Sequence, residues 1–174
     1  MMVFIIFLAF LIFQRVVELF IANSNERWMK EQGAKEYGHN HYRFMVLIHV
    51  GFFISLIVET FLMNRSLHPY WPLLLFLFII VQMGRVWVIS SLGKYWNTKI
   101  IVLPGAEVVK KGPFKYMKHP NYFIVTIELL VIPLLFQAYV TACVFFILNQ
   151  VILMVRIPLE ERALKENTDY DIHF

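Results

Sequence analysis

Charged residues are scarce in this sequence. Only 16% of its 174 residues are Asp, Glu, Lys or Arg, whereas soluble domains contain about 25%. Apolar residues make up 59% of the chain, and the mean hydropathy is +0.63. One soluble core of this size cannot bury so much apolar surface, and a disordered chain would show the opposite balance. The composition therefore predicts a single membrane domain over residues 1–174 and excludes a soluble two-domain enzyme.

Cysteine is nearly absent as well. Cys143 is the single cysteine, so the chain can form neither an internal disulfide nor a cysteine metal cage. No acidic or cysteine set beside His39 and His41 completes a metal site, and no glycine-rich phosphate loop or dinucleotide-binding fingerprint is present. The net charge is +4, but no basic stripe with a known docking motif accompanies it. Nucleic acid is therefore not an expected partner.

Long apolar runs dominate the rest of the chain. A run of about 20 apolar residues is long enough to cross a bilayer as a helix. The final run, residues 122–155, has 34 residues. As one helix it would be about 51 Å long, so a hairpin that turns near residues 136–139 fits the bilayer better. The sequence predicts an all-α integral membrane protein with about five transmembrane helices, over residues 2–22, 44–63, 70–92, 122–136 and 139–155.

Basic residues fall almost entirely between alternate spans. Residues 23–43, 93–121 and 156–174 carry thirteen of the sixteen Lys and Arg residues, and the links on the other side carry Arg65 alone. Cytoplasmic loops are enriched in Lys and Arg, and these residues also face anionic lipid there. The N-terminus is therefore expected outside and the C-terminus in the cytoplasm.

A candidate ligand-binding motif connects the basic segment 93–121 to the fourth predicted span: Gly112-Pro113-Phe114-Lys115-Tyr116-Met117-Lys118-His119-Pro120-Asn121-Tyr122. Pro120 suits the first position of a helix because its missing N–H costs nothing there, and His119 before it is expected to be extended. The free N–H groups of such a helix start favour a carboxylate or phosphate. The motif is either an anion site flanked by Tyr116 and Tyr122 or a helix start anchored by an aromatic residue and two lysines.

A second motif, Arg156-Ile157-Pro158-Leu159-Glu160-Glu161-Arg162, follows the last span. If Pro158 begins a new helix, Glu160 and Glu161 occupy its first turn, where carboxylates are favoured; capping alone would also explain them. The two motifs leave the two ends of one predicted hairpin on the same membrane face, so we expect them to be neighbours. An anion site beside a carboxylate pair suits a zwitterionic cation such as S-adenosylmethionine.

Together the two motifs resemble the isoprenylcysteine carboxyl methyltransferase family. The resemblance rests on Gly-Pro-aromatic-basic-Tyr, on basic-His-Pro-x-Tyr and, about 35 residues later, on Arg-x-x-x-Glu-Glu. These motifs cover residues 100–164, and the hydropathy profile extends the match to the whole chain. Members are multi-span membrane enzymes that use S-adenosylmethionine, and phospholipid N-methyltransferases have a similar C-terminal pattern.

The resemblance implies a cytoplasmic cofactor-binding region over residues 100–174. Within it, the residues expected to bind the cofactor are Gly112, Tyr116, His119, Pro120, Tyr122 and Glu160. Arg156 is expected to face the acceptor, and Glu161 to position or deprotonate it. Two departures concern the acceptor more than the cofactor: Lys118 replaces an arginine and loses its bidentate recognition, and Ile124 stands where a small glycine is common.

The sequence of residues 119–125, His-Pro-Asn-Tyr followed by bulky apolar residues, is similar to a bacterial branch of the family associated with O-methylation of lipophilic polyketides. This implies S-adenosylmethionine-dependent O-methylation, at the bacterial cytoplasmic membrane, of an alkylpyrone-like polyketide or a prenylcysteine-type carboxylate. Membrane lipids are the other expected partner, and the sequence does not indicate an oligomeric state. The alternatives are a phospholipid or other amine N-methyltransferase and a non-enzymatic membrane scaffold.

Several ionisable residues interrupt the predicted spans. Charged groups are costly inside a bilayer and are often functional. Arg15 and Glu18 lie three residues apart on one helix face, so mutual pairing and a role at the acceptor site are both open. Arg85 either reaches the acceptor pocket or serves helix packing, and for Glu128 a functional and a structural role are both open. Glu59, near a span end, is expected at the membrane interface.

Overall fold

The computed structural model describes residues 1–173, except for the side chains of Asn40 and His173. Phe174, the last residue of the predicted cofactor-binding region, lies outside the described residues. Within them, the helices are α1 (Met2–Glu31), α2 (His39–Leu62), α3 (Trp71–Leu92), α4 (Pro120–Leu135), α5 (Tyr139–Asn167) and the short α6 (Tyr170–His173). The strands are β1 (Lys35–Tyr37) and β2 (Ile100–Val102), and 3-10 turns occupy Gly93–Tyr95 and Gly112–Lys115.

Four helical stretches among the described residues are long and apolar enough to cross a membrane: Met2–Glu31, His41–Leu62, Trp71–Tyr95 and Tyr139–Asn167. Each coincides with a predicted span. The remaining predicted span, α4, has 16 residues. At 1.5 Å per residue it is about 24 Å long, which is short of a hydrocarbon core of about 30 Å.

Two helices extend beyond their predicted bounds. Helix α1 continues to Glu31 because no glycine or proline interrupts residues 23–31, and it ends just before Gly33, which has a positive φ of 90°. Helix α5 continues through Pro158, so Pro158 does not begin a new helix, and Glu160 and Glu161 do not occupy a first turn. The missing N–H of Pro158 removes one backbone hydrogen bond, but the next turns stay helical because Leu159 and Ala163 pack against β2.

A small antiparallel sheet departs from the all-α prediction. Strands β1 and β2 pair with Lys35 opposite Val102 and Tyr37 opposite Ile100. Strands of three residues are too short to show an alternating pattern in the sequence. The pairing brings the segments 23–43 and 93–121 together, as expected for two segments on the same side of the membrane.

The turn between α4 and α5 lies at the opposite end of the molecule. It falls at residues 136–138, as the hairpin prediction requires. There His68 N–H donates to the Leu135 carbonyl at 3.0 Å, and Gln137 Nε2 donates to Ser66 Oγ at 3.1 Å. Helices α3 and α4 therefore share this end, but α3 is six residues longer. The N-terminus of α4 is consequently recessed by about 9 Å relative to the far end of α3.

Candidate active site

The recessed N-terminus of α4 carries two stacked rings. Helix α4 begins at Pro120, as predicted, and His119 occupies the preceding position with non-helical angles, φ −126° and ψ 61°. The rings of His119 and Tyr122 are stacked with centroids 5.4 Å apart. The proline fixes where the helix begins, and this start places both rings on the side that faces α5.

Helix α5 brings its two carboxylates to these rings. His119 Nε2 lies 3.0 Å from Glu161 Oε1, and His119 Nδ1 lies 3.8 Å from Glu160 Oε2. The Tyr122 hydroxyl donates a short hydrogen bond to Glu160. The expected neighbourhood of the two motifs is therefore present in the structure.

Arg156 completes the cluster from one turn earlier on α5. Because α5 does not end at Pro158, Arg156 and Glu160 lie on the same helix face. Arg156 Nε donates to the Tyr122 hydroxyl at 2.8 Å, and Nη2 donates to the backbone carbonyl of Thr98 at 2.7 Å. Arg156 is only 4% exposed. The hydroxyl of Tyr122 thus accepts a hydrogen bond from a buried cation and donates one to a carboxylate.

Two cavities meet at this chain of hydrogen bonds. The larger has a volume of about 250 Å³ and lies among the membrane helices, with Tyr122 and Arg156 in its wall. About half of its other lining residues are apolar, and these include Leu19, Met45, Val46, Val50, Phe53, Val125, Ile152 and Leu153; the rest are polar or charged. We call it the membrane cavity.

The second cavity, of about 140 Å³, lies on the side of the sheet and the 93–121 segment. It is lined by Ile101, Phe114, Lys118, His119, Glu160 and Tyr170, among others. We call it the surface cavity. Burial and the neighbouring carboxylates of Glu161 and Glu160 raise the pKa of Tyr170 to about 12, so its phenol is protonated at neutral pH.

Four of the sequence-predicted site residues lie away from the two cavity walls. Pro120 is buried at the start of α4 and lines neither cavity. Glu161 contacts His119 but is not a lining residue of either cavity. Tyr116 is 80% exposed, and Gly112 packs against α3. With φ at 58°, a Cβ on Gly112 would lie 2.1 Å from Ser91 Oγ and 3.0 Å from Trp87 Nε1. The structure thus gives Gly112 a packing role.

Sequence reasoning did not identify the loop that orients Arg156. Asn25 on α1 donates to the Trp96 carbonyl at 2.7 Å, and Asn97 donates back to the Ala22 carbonyl at 3.1 Å. These bonds hold residues 96–98 against α1 and so fix the Thr98 carbonyl that Arg156 contacts. A backbone acceptor has no residue-type signal, so no sequence pattern could have found it.

The intramembrane charges lie together in the wall of the membrane cavity. Arg15, Glu18 and Arg85 line it, and Glu128 is bonded to both arginines. The pairing of Arg15 with Glu18 is confirmed. Both residues also line the membrane cavity. Among the described residues, no group of His, Cys, Asp and Glu is arranged to hold a metal ion.

Comparisons with known proteins identify the family of this chain. The model of the isoprenylcysteine carboxyl methyltransferase (ICMT) family matches residues 73–166, which include the His119, Tyr122, Arg156 and Glu160 cluster. The uncharacterized protein YpbQ of Bacillus subtilis (strain 168) is 52% identical over 159 residues, which cover 91% of this chain and 95% of that protein. An uncharacterized protein of Haemophilus influenzae (strain ATCC 51907 / DSM 11121 / KW20 / Rd) is 33% identical over 151 residues, 86% of this chain and 88% of its own.

No solved structure matches this chain, and neither relative's name states an activity. The family match nonetheless extends over more than half of the chain, and four described helices are long and apolar enough to cross a membrane. The chain therefore belongs to the isoprenylcysteine carboxyl methyltransferase family and is an integral membrane methyltransferase.

Proposed function

We propose that this protein transfers a methyl group from S-adenosylmethionine to an oxygen of a lipophilic acceptor. The observation that carries the proposal is the hydrogen-bonded chain Arg156–Tyr122–Glu160. It joins the surface cavity, whose wall includes Lys118, His119 and Glu160, to the membrane cavity among the helices. A methyl donor and a lipophilic acceptor need such a pair of compartments with one shared boundary.

The surface cavity has the chemistry that S-adenosylmethionine requires. Glu160 offers a partly exposed carboxylate for the amino group, the ribose hydroxyls or the sulfonium charge. Lys118 adds a cation for the carboxylate of the cofactor, and Phe114 and Ile101 provide apolar surface for the adenine. When bound, the cofactor would supply a methyl group activated by the sulfonium. We propose that His119, Pro120 and Tyr122 bind it with Glu160.

The membrane cavity suits the hydrocarbon part of an acceptor. Leu19 on α1 and Val46 and Val50 on α2 line the cavity and are also exposed at the outer surface of the molecule. We propose that an acceptor enters sideways from the bilayer between α1 and α2. An alkylpyrone-like polyketide or a prenylcysteine-type carboxylate would both fit this description.

Arg156 is proposed to hold the reacting oxygen of the acceptor as an anion. A carboxylate or an enolic hydroxyl is already ionised at neutral pH, so no strong base is needed and positioning supplies much of the rate acceleration. Arg156 is itself fixed by Tyr122 and by the Thr98 carbonyl. Glu161 is proposed to position the ring of His119, to which it is hydrogen-bonded.

An arginine in the acceptor cavity disfavours the N-methyltransferase alternative. A buried guanidinium attracts an anionic oxygen and repels a protonated amine. The reaction product distinguishes the two activities. After incubation with cofactor carrying carbon-13 in its methyl group, the proton and carbon chemical shifts of the transferred methyl group distinguish an O-methyl from an N-methyl product, and we expect the O-methyl signal.

The proposed placement in the bacterial cytoplasmic membrane has the N-terminus outside and the C-terminus in the cytoplasm. Residues 1–174 would act as one membrane domain, with the hairpin of α4 and α5 embedded beside three single spans and the cofactor region over residues 100–174. The pairing of β1 with β2 supports this placement because it joins two basic segments.

Calorimetric binding of S-adenosylhomocysteine to detergent-purified protein tests the proposal. We expect micromolar binding by the wild type and at least about a tenfold loss in Glu160→Gln, since a hydrogen bond to a charged group contributes about 1.5–3 kcal/mol. Glu166→Gln is the matched control, because Glu166 lies on the same helix but is exposed. No binding by folded wild type would overturn the proposed function; binding unaffected by Glu160→Gln would overturn the site.

A further inference from the structure

Two guanidinium groups and two carboxylates form a buried network beside the membrane cavity. Arg15 donates from Nη1 to Glu18 Oε2 at 2.7 Å and from Nη2 to Glu128 Oε2 at 2.6 Å. Arg85 makes two hydrogen bonds to Glu128, one from Nε at 2.8 Å, and a third from Nη1 to Glu18 Oε2 at 3.1 Å. The network joins α1, α3 and α4 and has no net charge.

Helix packing does not require all of this network. Arg85 and Glu128 already satisfy each other as a bidentate pair, and their side chains are 3% and 2% exposed. Replacing a buried ion pair by apolar residues of similar volume often leaves stability unchanged or raises it. Ionisable groups inside a membrane therefore point to function, and the pair of Arg15 and Glu18 needs an explanation beyond packing.

Arg15 and Arg85 both line the membrane cavity, but Arg15 is the more exposed of the two. The side chain of Arg15 is 26% exposed, whereas that of Arg85 is 3% exposed. A guanidinium carries five N–H donors, and the two hydrogen bonds of Arg15 to described carboxylates leave donors for a ligand oxygen. Arg15 and Glu18 also lie outside residues 73–166, so the family match does not account for them.

The membrane cavity consequently has polar groups at two levels. Tyr122 and Glu128 are six residues apart on α4, which is about 9 Å along the helix axis, and Val125 lines the cavity between them. A plain hydrocarbon chain that extended from Arg156 past Arg15 would cover polar groups with apolar surface, which is unfavourable. An acceptor with an oxygen atom at that level would satisfy Arg15 instead.

We propose that Arg15 and Glu18 bind a second oxygen function of the acceptor, a hydroxyl, carbonyl or carboxyl group within about 9 Å of the oxygen that is methylated. This inference rests on the proposed function and narrows its substrate class. The site would prefer an acceptor whose polar part carries two separated oxygen functions. An acceptor with a single acid group on a plain hydrocarbon chain would bind less tightly. Arg15 would donate to the second oxygen, and Glu18 would hold Arg15 in place or accept from a hydroxyl.

Binding of two matched probes to full-length, detergent-purified protein tests the inference without the cofactor. The probes are dodecanoate and dodecanoate with one hydroxyl group near the middle of the chain. We expect wild type to bind the hydroxylated probe at least about tenfold more tightly, as one hydrogen bond to a charged group allows. The double variant Arg15→Gln/Glu18→Gln, in which the network keeps its zero net charge, should bind both probes within about twofold of each other.

Leu19→Ala is the matched control, because Leu19 lines the same cavity without a polar group. This substitution should weaken the binding of both probes by the same factor. If the double variant does not fold, Arg15→Lys keeps the charge but loses the planar pair of donors, and the preference should fall at least about threefold. Equal binding of both probes to wild type, or a preference that persists in the folded double variant, would overturn the inference.

Binding of S-adenosylhomocysteine, measured on the same samples, separates the two proposals. Cofactor binding without any probe preference overturns the inference and leaves the proposed function standing. Probe preference without cofactor binding overturns the proposed function and retains the ligand site.

Discussion

The hydroxyl of Tyr122 is the atom at which the two proposed compartments meet. It accepts from Arg156 Nε at 2.8 Å and donates to Glu160. Phenylalanine at this position would keep the stacking with His119 but would leave a buried cation and a carboxylate each without one partner. The cost of an unmade hydrogen bond is largest where the remaining groups are buried and charged.

Tyr122→Phe is therefore expected to lower kcat/KM for methyl transfer by about 10- to 100-fold, which corresponds to the loss of a hydrogen bond to charged groups. The measurement is the rate of label transfer into extracted lipid. Tyr116→Phe is the matched control, since Tyr116 belongs to the same motif but is exposed, and its activity should equal that of the wild type. Wild-type activity in Tyr122→Phe would show that the hydrogen-bonded chain has no role in transfer.

At the scale of the element, Glu59 caps helix α5 from a neighbouring helix. Its carboxylate accepts from Val140 N–H at 3.2 Å, from Thr141 N–H at 2.7 Å and from Thr141 Oγ1 at 2.8 Å. Helix α5 has no side-chain cap from its own N-cap residue, Ala138. The sequence predicts an interfacial position for Glu59. The structure adds that its side chain is buried against the start of α5, where the free N–H groups and the helix dipole favour a carboxylate.

Glu59→Gln should lower the free energy of unfolding by about 1–2 kcal/mol, since it removes the charge at the start of α5. Thermal unfolding in detergent measures the change. Glu31→Gln, an exposed position at the end of α1, is expected to have no effect. Affinity for S-adenosylhomocysteine should stay unchanged because Glu59, on α2, contacts the first turn of α5, whereas Glu160 lies toward the other end of α5. Stability equal to the control would show that the cap contributes nothing.

At the scale of the whole molecule, the buried charge network holds three helices together. Arg85 and Glu128 form its most deeply buried pair, between α3 and α4, and Arg15 connects α1 to Glu128. Removing one partner leaves the other buried without full compensation, whereas removing both restores an apolar contact.

Arg85→Met alone is expected to destabilise the protein by about 3–5 kcal/mol, and Arg85→Met/Glu128→Leu to recover most of that loss. Comparison of the two unfolding temperatures with that of the wild type is the measurement. A double variant no more stable than the single one would mean that the hydrogen bonds of Glu128 to Arg15 and Gln82 outweigh its pairing with Arg85.

The orientation of the molecule in the membrane can be tested with introduced cysteines, because only one native cysteine, Cys143, has to be replaced. In a Cys143→Ser background, Met63→Cys lies at the end of α2 and Lys111→Cys lies in the 93–121 segment; both positions are exposed. A membrane-impermeant maleimide added to intact cells should label Met63→Cys and should label Lys111→Cys only after lysis. The reverse pattern would contradict the proposed cytoplasmic site.

The membrane class, the approximate places of four long helices, the turn at residues 136–138 and the start of α4 at Pro120 could all be predicted from the sequence. These features depend on local properties, namely runs of apolar residues and the backbone of proline. The sequence also predicted that His119 and Tyr122 lie near Glu160 and Glu161, because the two ends of a helical hairpin lie on the same face of the membrane.

The contacts between these residues are visible only in the tertiary structure. It showed that α5 continues through Pro158, that Gly112 and Tyr116 lie away from the cavity walls, and that the Thr98 carbonyl orients Arg156. It also placed Arg15 in the wall of the membrane cavity. Each of these facts depends on contacts between segments far apart in the chain, and such contacts are set by packing and hydrogen-bond geometry rather than by any local pattern of residue types.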